Sequence, residues 1–506
     1  MYKVLKANKD TYITNRVIKE QRVLNANVGC AATLDLFKLY GQTLSGSTPN
    51  LELSRLLIHF DLDPLRTLVD DGKLRTDNGS FSCTLKLHDV YGGQTTPNNF
   101  TVAVYPLSRS FDEGLGRDVV YYSDNDTSNF LTGSSTQGIW VISGCNSGGG
   151  LPGTVDFITA STSILGGQSL KVTQSFVSGE ENLEIDVTTI VSATLASLIP
   201  DEGYRISFES THEDDSYSYF VKRFAARSAF DASKRPKLIV KYDDSIIDDS
   251  LSFFIDSNSS LFFYNYNRQA LSNLTSGSSS TSITGSNSLI LKLQTEISGG
   301  RYELQFSGSQ HKHGQLGFTG IYSASVFVSS SNSTITSKLI SSSSVKFIPI
   351  WGSIDGTVGY FTGSAIYAHP PNRTAESFDS SKLTVSVTET KNSYSSDERC
   401  KLRINIFNAN KPYVNLVKTF VETPGQVYRD VHWQIRNIGN NVVEIPFDTV
   451  KNSTRASSDS KGMFFILDTT SLTTERNYVI DIMVKTNGDE YIYNAASKPF
   501  KITDLQ

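Results

Sequence analysis

Oxygen-bearing side chains crowd one stretch of this chain, where Asp112 and Glu113 are followed a short way on by Asp124, Asn125 and Asp126. Carboxylate and amide oxygens so grouped could ligate Ca²⁺, with Asp124 and Asp126 as the residues such an ion would use. The spacing lacks the Gly and the distal Glu of an EF-hand loop, so the stretch reads as a solvated acidic turn, and neither a metal nor a cofactor is expected. His311-Lys312-His313 would place two imidazoles on one side of an extended chain, a start on a transition-metal site; the flanking Gln310 and Gly314 read instead as a surface hairpin tip. Gly114-Leu115-Gly116 has only the look of a phosphate loop, without a third glycine or a strand-to-helix setting. Glu209, Glu213, Asp214 and Asp215 could supply the facing carboxylates of a glycosidase, but a charge run is ordinarily a solvated turn.

No Gly-x-Ser-x-Gly elbow occurs, and none of the seven histidines lies in a setting that marks a general base, so no catalytic residue is assigned and the chain is expected not to be an enzyme. Phe262, Phe263, Tyr264 and Tyr266 form the densest aromatic cluster; a sandwich core and a partner contact use the same residues, and both readings stay open.

These residues are carried on 506 residues with 38% hydrophobic side chains, enough for roughly three domains with real cores. The 51 acidic and 46 basic side chains leave a net charge of −5, with no basic footprint for nucleic acid. No apolar run approaches a membrane span and Met1–Asp10 lacks the apolar core of a secretory signal, so a soluble, unprocessed chain is expected. Cys30, Cys83, Cys145 and Cys400 are far apart and read as free thiols.

Short runs of Val, Ile, Phe and Tyr punctuated by Gly, Ser, Asn and Asp predict an all-β protein. In Tyr204–Phe208, apolar residues alternate with Arg205 and Ser207 as in a half-buried strand. A charged turn at His212–Asp215, a strand over Ser218–Phe224 and a last strand over Lys237–Tyr242, entered through Arg235-Pro236, follow. Helices are expected at two places. One starts at Asp63-Pro64, the other follows Asp186 and stops before Pro200.

The acidic run Asp243–Asp249 reads as a solvated linker, and His369-Pro370-Pro371-Asn372 as a stiff polar hinge. Three β-sandwich domains in series follow. The first, residues 1–243, is of jelly-roll character, and 244–368 and 369–506 are smaller immunoglobulin-like sandwiches. The last would hold strands at Leu383–Val387, Lys401–Phe407, Val431–Ile435, Met463–Leu467, Tyr478–Lys485 and Tyr491–Ile502.

An Arg-Pro dipeptide leading into a final Leu-Ile-Val strand, after Asp10-Thr11-Tyr12-Ile13, Ser54–Leu62, Thr84–His88 and Thr101–Asp112 in that order, resembles DNRLRE-type β-sandwich domains. The stretches Phe111–Asp126, Phe220–Ser228 and Leu261–Leu271 are similar to structural proteins of tailed bacteriophages. The resemblance covers most of the chain and implies a virion protein of the neck, tail, baseplate or capsid surface, assembled in the host cytoplasm. It implies other virion proteins and further copies of this chain as partners, with no direct nucleic-acid or membrane contact. The alternative is a carbohydrate-binding adhesin or receptor-binding module.

Overall fold

The computed structural model describes residues 1–506 except 46–47, 78, 94, 161–164, 252, 278–279, 313–316, 343, 371–382, 409–426, 487–488 and 505–506. The chain is all-β and divides into two compact units. One is Lys3–Thr67 with Ser82–Val240; the other is Met1–Tyr2, Leu68–Phe81 and Lys241–Gln506.

The first unit is a 10-stranded sheet formed by β1 (Tyr2–Thr14), β2 (Thr33–Ser45), β3 (Thr48–Phe60), β4 (Ser82–Leu87), β5 (Phe100–Pro106), β6 (Val172–Phe176), β7 (Leu183–Asp186), β8 (Tyr204–Phe208), β9 (Tyr219–Ala225) and β10 (Lys237–Lys241). Its order is β6-β5-β8-β3-β1-β10-β4-β7, with β9 joined through β2 to β3. The period of two decides which side chains meet. Phe208 packs edge-on to Phe100 at 5.3 Å, and Phe100 stacks on Phe176 at 4.9 Å.

The two ends of the sheet meet through a side chain. Gln174 of β6 donates from Nε2 to the Asn182 carbonyl at 2.8 Å and accepts from the Glu184 amide of β7 at 2.7 Å, so its amide stands in for a missing rung. Unpaired strand edges invite pairing with other chains, and this linkage occupies both ends at once.

The helices form where expected, as α1 (Asp63–Asp70) and α2 (Thr188–Leu195). Asp61 accepts from the Asp63 amide and Asp186 from that of Thr188, each at the start of its helix. The strand expected over Thr101–Asp112 ends at Pro106, where the chain leaves the sheet for a long excursion.

The second unit carries three larger sheets. An 8-stranded sheet is made of β11 (Phe253–Phe254), β12 (Asn258–Tyr264), β13 (Leu289–Ile297), β14 (Gly300–Lys312), β15 (Gly317–Phe327), β16 (Val345–Gly352), β17 (Gly359–Thr362) and β18 (Ile366–His369). It encloses a core around Leu291, Tyr322, Phe347 and Trp351. A helix that the sequence reading missed, α3 (Ser333–Ser341), also packs there. Its signal was Asn332, whose Oδ1 accepts from the Thr334 and Ile335 amides and caps it, with Ile335 buried in the core.

The remaining strands are β19 (Leu383–Thr388), β20 (Ser393–Ser395), β21 (Arg399–Asn408), β22 (Asp430–Asn437), β23 (Val443–Ile445), β24 (Ser457–Asp459), β25 (Gly462–Asp468), β26 (Asn477–Thr486), β27 (Asp489–Tyr493) and β28 (Phe500–Thr503). They form a 4-stranded sheet, β19-β21-β25-β24, and a 6-stranded one, β20-β28-β26-β22-β23 with β27 on β26. Trp433 of one sheet stacks on Phe465 of the other at 4.8 Å, which is how a sandwich fills its middle. The single strand expected over Tyr491–Ile502 is two, because the chain turns at Ala495, with a positive φ of 52°.

The acidic run Asp243–Asp249 is not the solvated linker its charge predicts. Asp243, Asp248 and Asp249 are buried, because each finds donors: Asp243 and Asp248 accept from the amide and hydroxyl of Ser245 and Ser250, and Asp249 pairs with Arg429. Pro371 and Asn372 of the expected hinge lie outside the described residues.

Replacing Gln174 by Ala removes both hydrogen bonds that join β6 to β7 and is expected to cost about 1–2 kcal/mol. Urea unfolding measures the loss, and faster hydrogen exchange at the Glu184 amide locates it.

Candidate functional site

The excursion after β5 packs on the first unit's sheet and carries the Asp112–Gly116 and Asp124–Asp126 stretches singled out from the sequence. It begins with Leu107 and Phe111, which with Trp140 and Cys145 bury against Ile13 and Leu57 of β1 and β3. Beyond that small apolar contact, buried polar side chains hold the loops.

Asn27 is fully buried and pins the first loop. It donates to the carbonyls of Glu113 and Ser128, both at 2.9 Å, and its Oδ1 accepts from the Gly116 amide at 2.8 Å. The loop lies so close that a Cβ on Gly116 would stand 1.8 Å from the Asn27 carbonyl oxygen. Gly114-Leu115-Gly116 therefore owes its glycines to close backbone approach, a role the sequence pattern did not disclose.

Asn129 ties the next turn, accepting from the Leu131 and Thr132 amides at 2.8 Å each, while its carbonyl receives the Trp140 indole N–H at 3.0 Å. Asp156, 0% exposed, accepts from the amides of Val141, Ile142 and Ser147 at 2.8, 3.1 and 3.0 Å. One carboxylate thereby fixes a whole loop.

The excursion is fastened to the sheet by a buried ion cluster. Arg55 of β3 binds Glu213 through two hydrogen bonds of 3.0 and 2.8 Å and donates to the Gly144 carbonyl at 2.7 Å. Arg205 of β8, 3% exposed, donates to the Cys145 carbonyl at 2.9 Å and lies over the Phe157 ring at 4.4 Å. Burial, and then neighbouring Arg55, push the Arg205 guanidinium down to about 10, so it stays charged at neutral pH. Burial drives the Glu213 carboxyl up, but Arg55 and Arg205 together outweigh it and hold the group below the usual carboxylate range.

The solvated turn expected at Glu209–Asp215 is thus corrected at Glu213, which a short helical turn directs inward between two guanidinium groups. Its neighbours are engaged too: Glu209 pairs with Lys171, and Asp215 accepts from the fully buried Lys38 ammonium at 2.8 Å and from the Tyr219 hydroxyl at 2.7 Å.

Asp124 and Asp126 sit in an exposed loop, where the Asp124 carboxylate accepts from the Asp126 amide at 2.9 Å. Asp112 accepts from the amide and hydroxyl of Ser135, and Glu113 from the Asp10 amide and the Arg227 guanidinium. The structure does not bring these acids together, and among the described residues no group of three or more His, Cys, Asp or Glu could hold a metal ion. His311 lies at the end of β14, its ring 4.9 Å from that of Phe262; His313 and Gly314 lie outside the described residues.

The aromatic cluster divides by strand period. Phe263 is buried in the core between Tyr322 and Trp351, at 5.9 and 5.8 Å, while Phe262 and Tyr264 are half-buried on the opposite face and Tyr266 is exposed. All four cysteines are free, Cys83 and Cys145 buried.

Among the residues the excursion exposes, several are large and apolar. Leu115 is 81% exposed, Tyr121 84% and Ile139 70%, with Val141, Ile142 and Leu151 also exposed. Tyr121 stands on a turn made by Asp118, which accepts from the Val120 and Tyr121 amides. No single residue type marked this surface in the sequence, since its members are scattered along the loops.

No family model and no curated protein matches the chain. Among solved structures, one match is to three N-terminal domains of the bacteriophage RB49 highly immunogenic outer capsid protein (Hoc), at 10% identity and a TM-score of 0.14, over 51% of this chain and 58% of that one, less than two thirds of its length. Another is to the A168–169 segment of titin, at 8% identity and a TM-score of 0.14, over 52% of this chain and 95% of that one. At that TM-score neither bears on what the protein does. No helix among the described residues is long and apolar enough to cross a membrane.

Glu213→Gln leaves two buried guanidinium groups without their counter-ion and is expected to cost about 3–5 kcal/mol. Glu209→Gln, at a partly exposed pair, is expected to cost less than about 1 kcal/mol. Thermal unfolding separates the two. Asp156→Ala strands three amides, and a loss of about 3 kcal/mol is expected, with exchange rising first at Val141, Ile142 and Ser147.

Proposed function

We propose that this protein is a structural component of a tailed-bacteriophage virion, in the neck, tail or baseplate or on the capsid, and that it acts by lasting contacts with other virion proteins and with further copies of itself. The observation that carries the reading is the set of exposed apolar residues on the excursion's pinned loops. Leu115, Tyr121, Ile139, Val141 and Ile142 are displayed on loops pinned by Asn27, Asn129 and Asp156. A surface already ordered before contact loses little conformational entropy on binding, which favours long-lived interfaces. The similarity of Phe111–Asp126 and Phe220–Ser228 to tailed-phage structural proteins supports the same reading, and these stretches are joined by the Arg227–Glu113 ion pair at 2.5 Å. In this role the chain turns over no substrate and touches neither nucleic acid nor membrane.

Exposed Tyr121 and Tyr122 beside polar Asp118 and Asn125 are the feature that a glycan-binding module would use. The test compares wild type with an Ile139→Asp/Ile142→Asp double variant. Both are expected to unfold at the same temperature, with incorporation into assembling particles falling at least about tenfold in the variant, as two apolar contacts replaced by charges require. Equal incorporation of the two proteins, binding of an oligosaccharide lost on Tyr121→Ala, or measurable hydrolysis of one would overturn the proposal.

A further inference from the structure

The acidic segment Asp243–Ser250 runs beside the edge strand β24. Ile247 forms a parallel bridge with Ser458 of β24; the Ser458 amide donates to the Ile246 carbonyl at 2.8 Å, and the Ser458 hydroxyl to the Asp248 carbonyl at 2.9 Å. Its other end is fastened to β12, where the amides of Asp249 and Ser260 each bond to the other residue, at 2.9 and 2.7 Å. The segment thus closes the free edge of one sheet while gripping another.

Within it, the Asp248 carboxyl is 5% exposed and flanked by like charge. Adjoining Asp249 and Asp459 of β24 supply that charge, while Tyr264 of β12, an uncharged phenol at neutral pH, itself feels the Asp248 carboxylate. The cations nearby are committed: Arg429 holds Asp249 at 2.8 Å, and Lys401 and Arg403 each hold Asp459 at 2.6 Å. The bonds to Asp248 Oδ1 come from the uncharged Ser250, through its amide at 3.0 Å and its hydroxyl at 2.5 Å.

We propose that Asp243–Ser250 is a pH-responsive strand latch, closed on β24 while Asp248 holds a proton and loosened once it ionises beside Asp249 and Asp459. Burial pushes the Asp248 carboxyl up most strongly; the Ser250 hydrogen bonds pull it back, Asp249 and Asp459 push it up again, and it comes to rest at about 6. A group bound more tightly to its proton in the closed form contributes stability that is whole below the ordinary carboxylate value of about 4. That contribution is lost as pH rises through about 6. The latch is therefore tighter in mild acid than at neutrality.

Hydrogen exchange on the full chain tests this, read at the Ser458 amide and corrected for the intrinsic pH dependence of exchange. Between pH 5 and pH 8 the opening equilibrium is expected to rise about tenfold in wild type. It is expected to stay flat in Asp248→Asn and in Asp248→Ser, while Asp249→Asn keeps a rise. A flat wild-type profile, the same rise in both Asp248 variants, or a uniform loss of protection across β21 to β26 would each overturn the proposal; the last would mean that the sandwich titrates as a whole.

Discussion

A charged or polar group withdrawn from water must be fully paired, and the first unit is organised around meeting that demand. Arg55, Arg205 and Glu213 would each be costly to bury alone. Together they saturate one another and have donors left for the Gly144 and Cys145 carbonyls. That remainder carries the long excursion across the sheet, so the cluster that the sheet must satisfy is also the cluster that fixes the surface above it. Lys38 and Lys222 repeat the solution, each a fully buried ammonium held by three oxygens: His212 and two from Asp215 for one, Asp89, Gly179 and Glu181 for the other.

The outcome is an excursion packed on Ile13 and Leu57 of the sheet, with exposed apolar residues on loops that have little freedom left. Asn27, Asn129 and Asp156 spend their hydrogen bonds on backbone amides and carbonyls, replacing the regular ladder that the excursion lacks. Glu213 and Asp215 are likewise committed, each to a buried cation.

Much of the strand pattern was legible because period-two alternation is a local property: Tyr204–Phe208 and Met463–Leu467 could be read from their own side chains. The helices beginning at Asp63 and after Asp186 were legible in place from local breakers such as Pro64 and Pro200, although Asp61 and not Asp63 accepts the amide at the first helix start. What the sequence did not disclose was partnership at long range. Arg205 looked like the wet face of a strand because the loop that covers it lies 60 residues away at Cys145. The Asp243–Asp249 run looked solvated because Arg429, Ser457 and Ser458 are distant in the chain. The exposed apolar residues were hidden differently, since Leu115, Ile139 and Ile142 share no spacing and acquire meaning only once three buried polar side chains fix their loops.

The segment that pairs with β24 also constrains the order of biosynthesis. Ile246 leaves the ribosome 211 residues before Ser457, its partner. Throughout that interval the eight-stranded sheet can complete itself, yet the strand beside it stays unmatched. Closing so wide a gap is entropically slow and depends on late-made chain. A nascent molecule truncated before β24 would keep the Asp249–Ser260 attachment but leave the Ile246 amide and carbonyl without the partners that Ser457 and Ser458 supply.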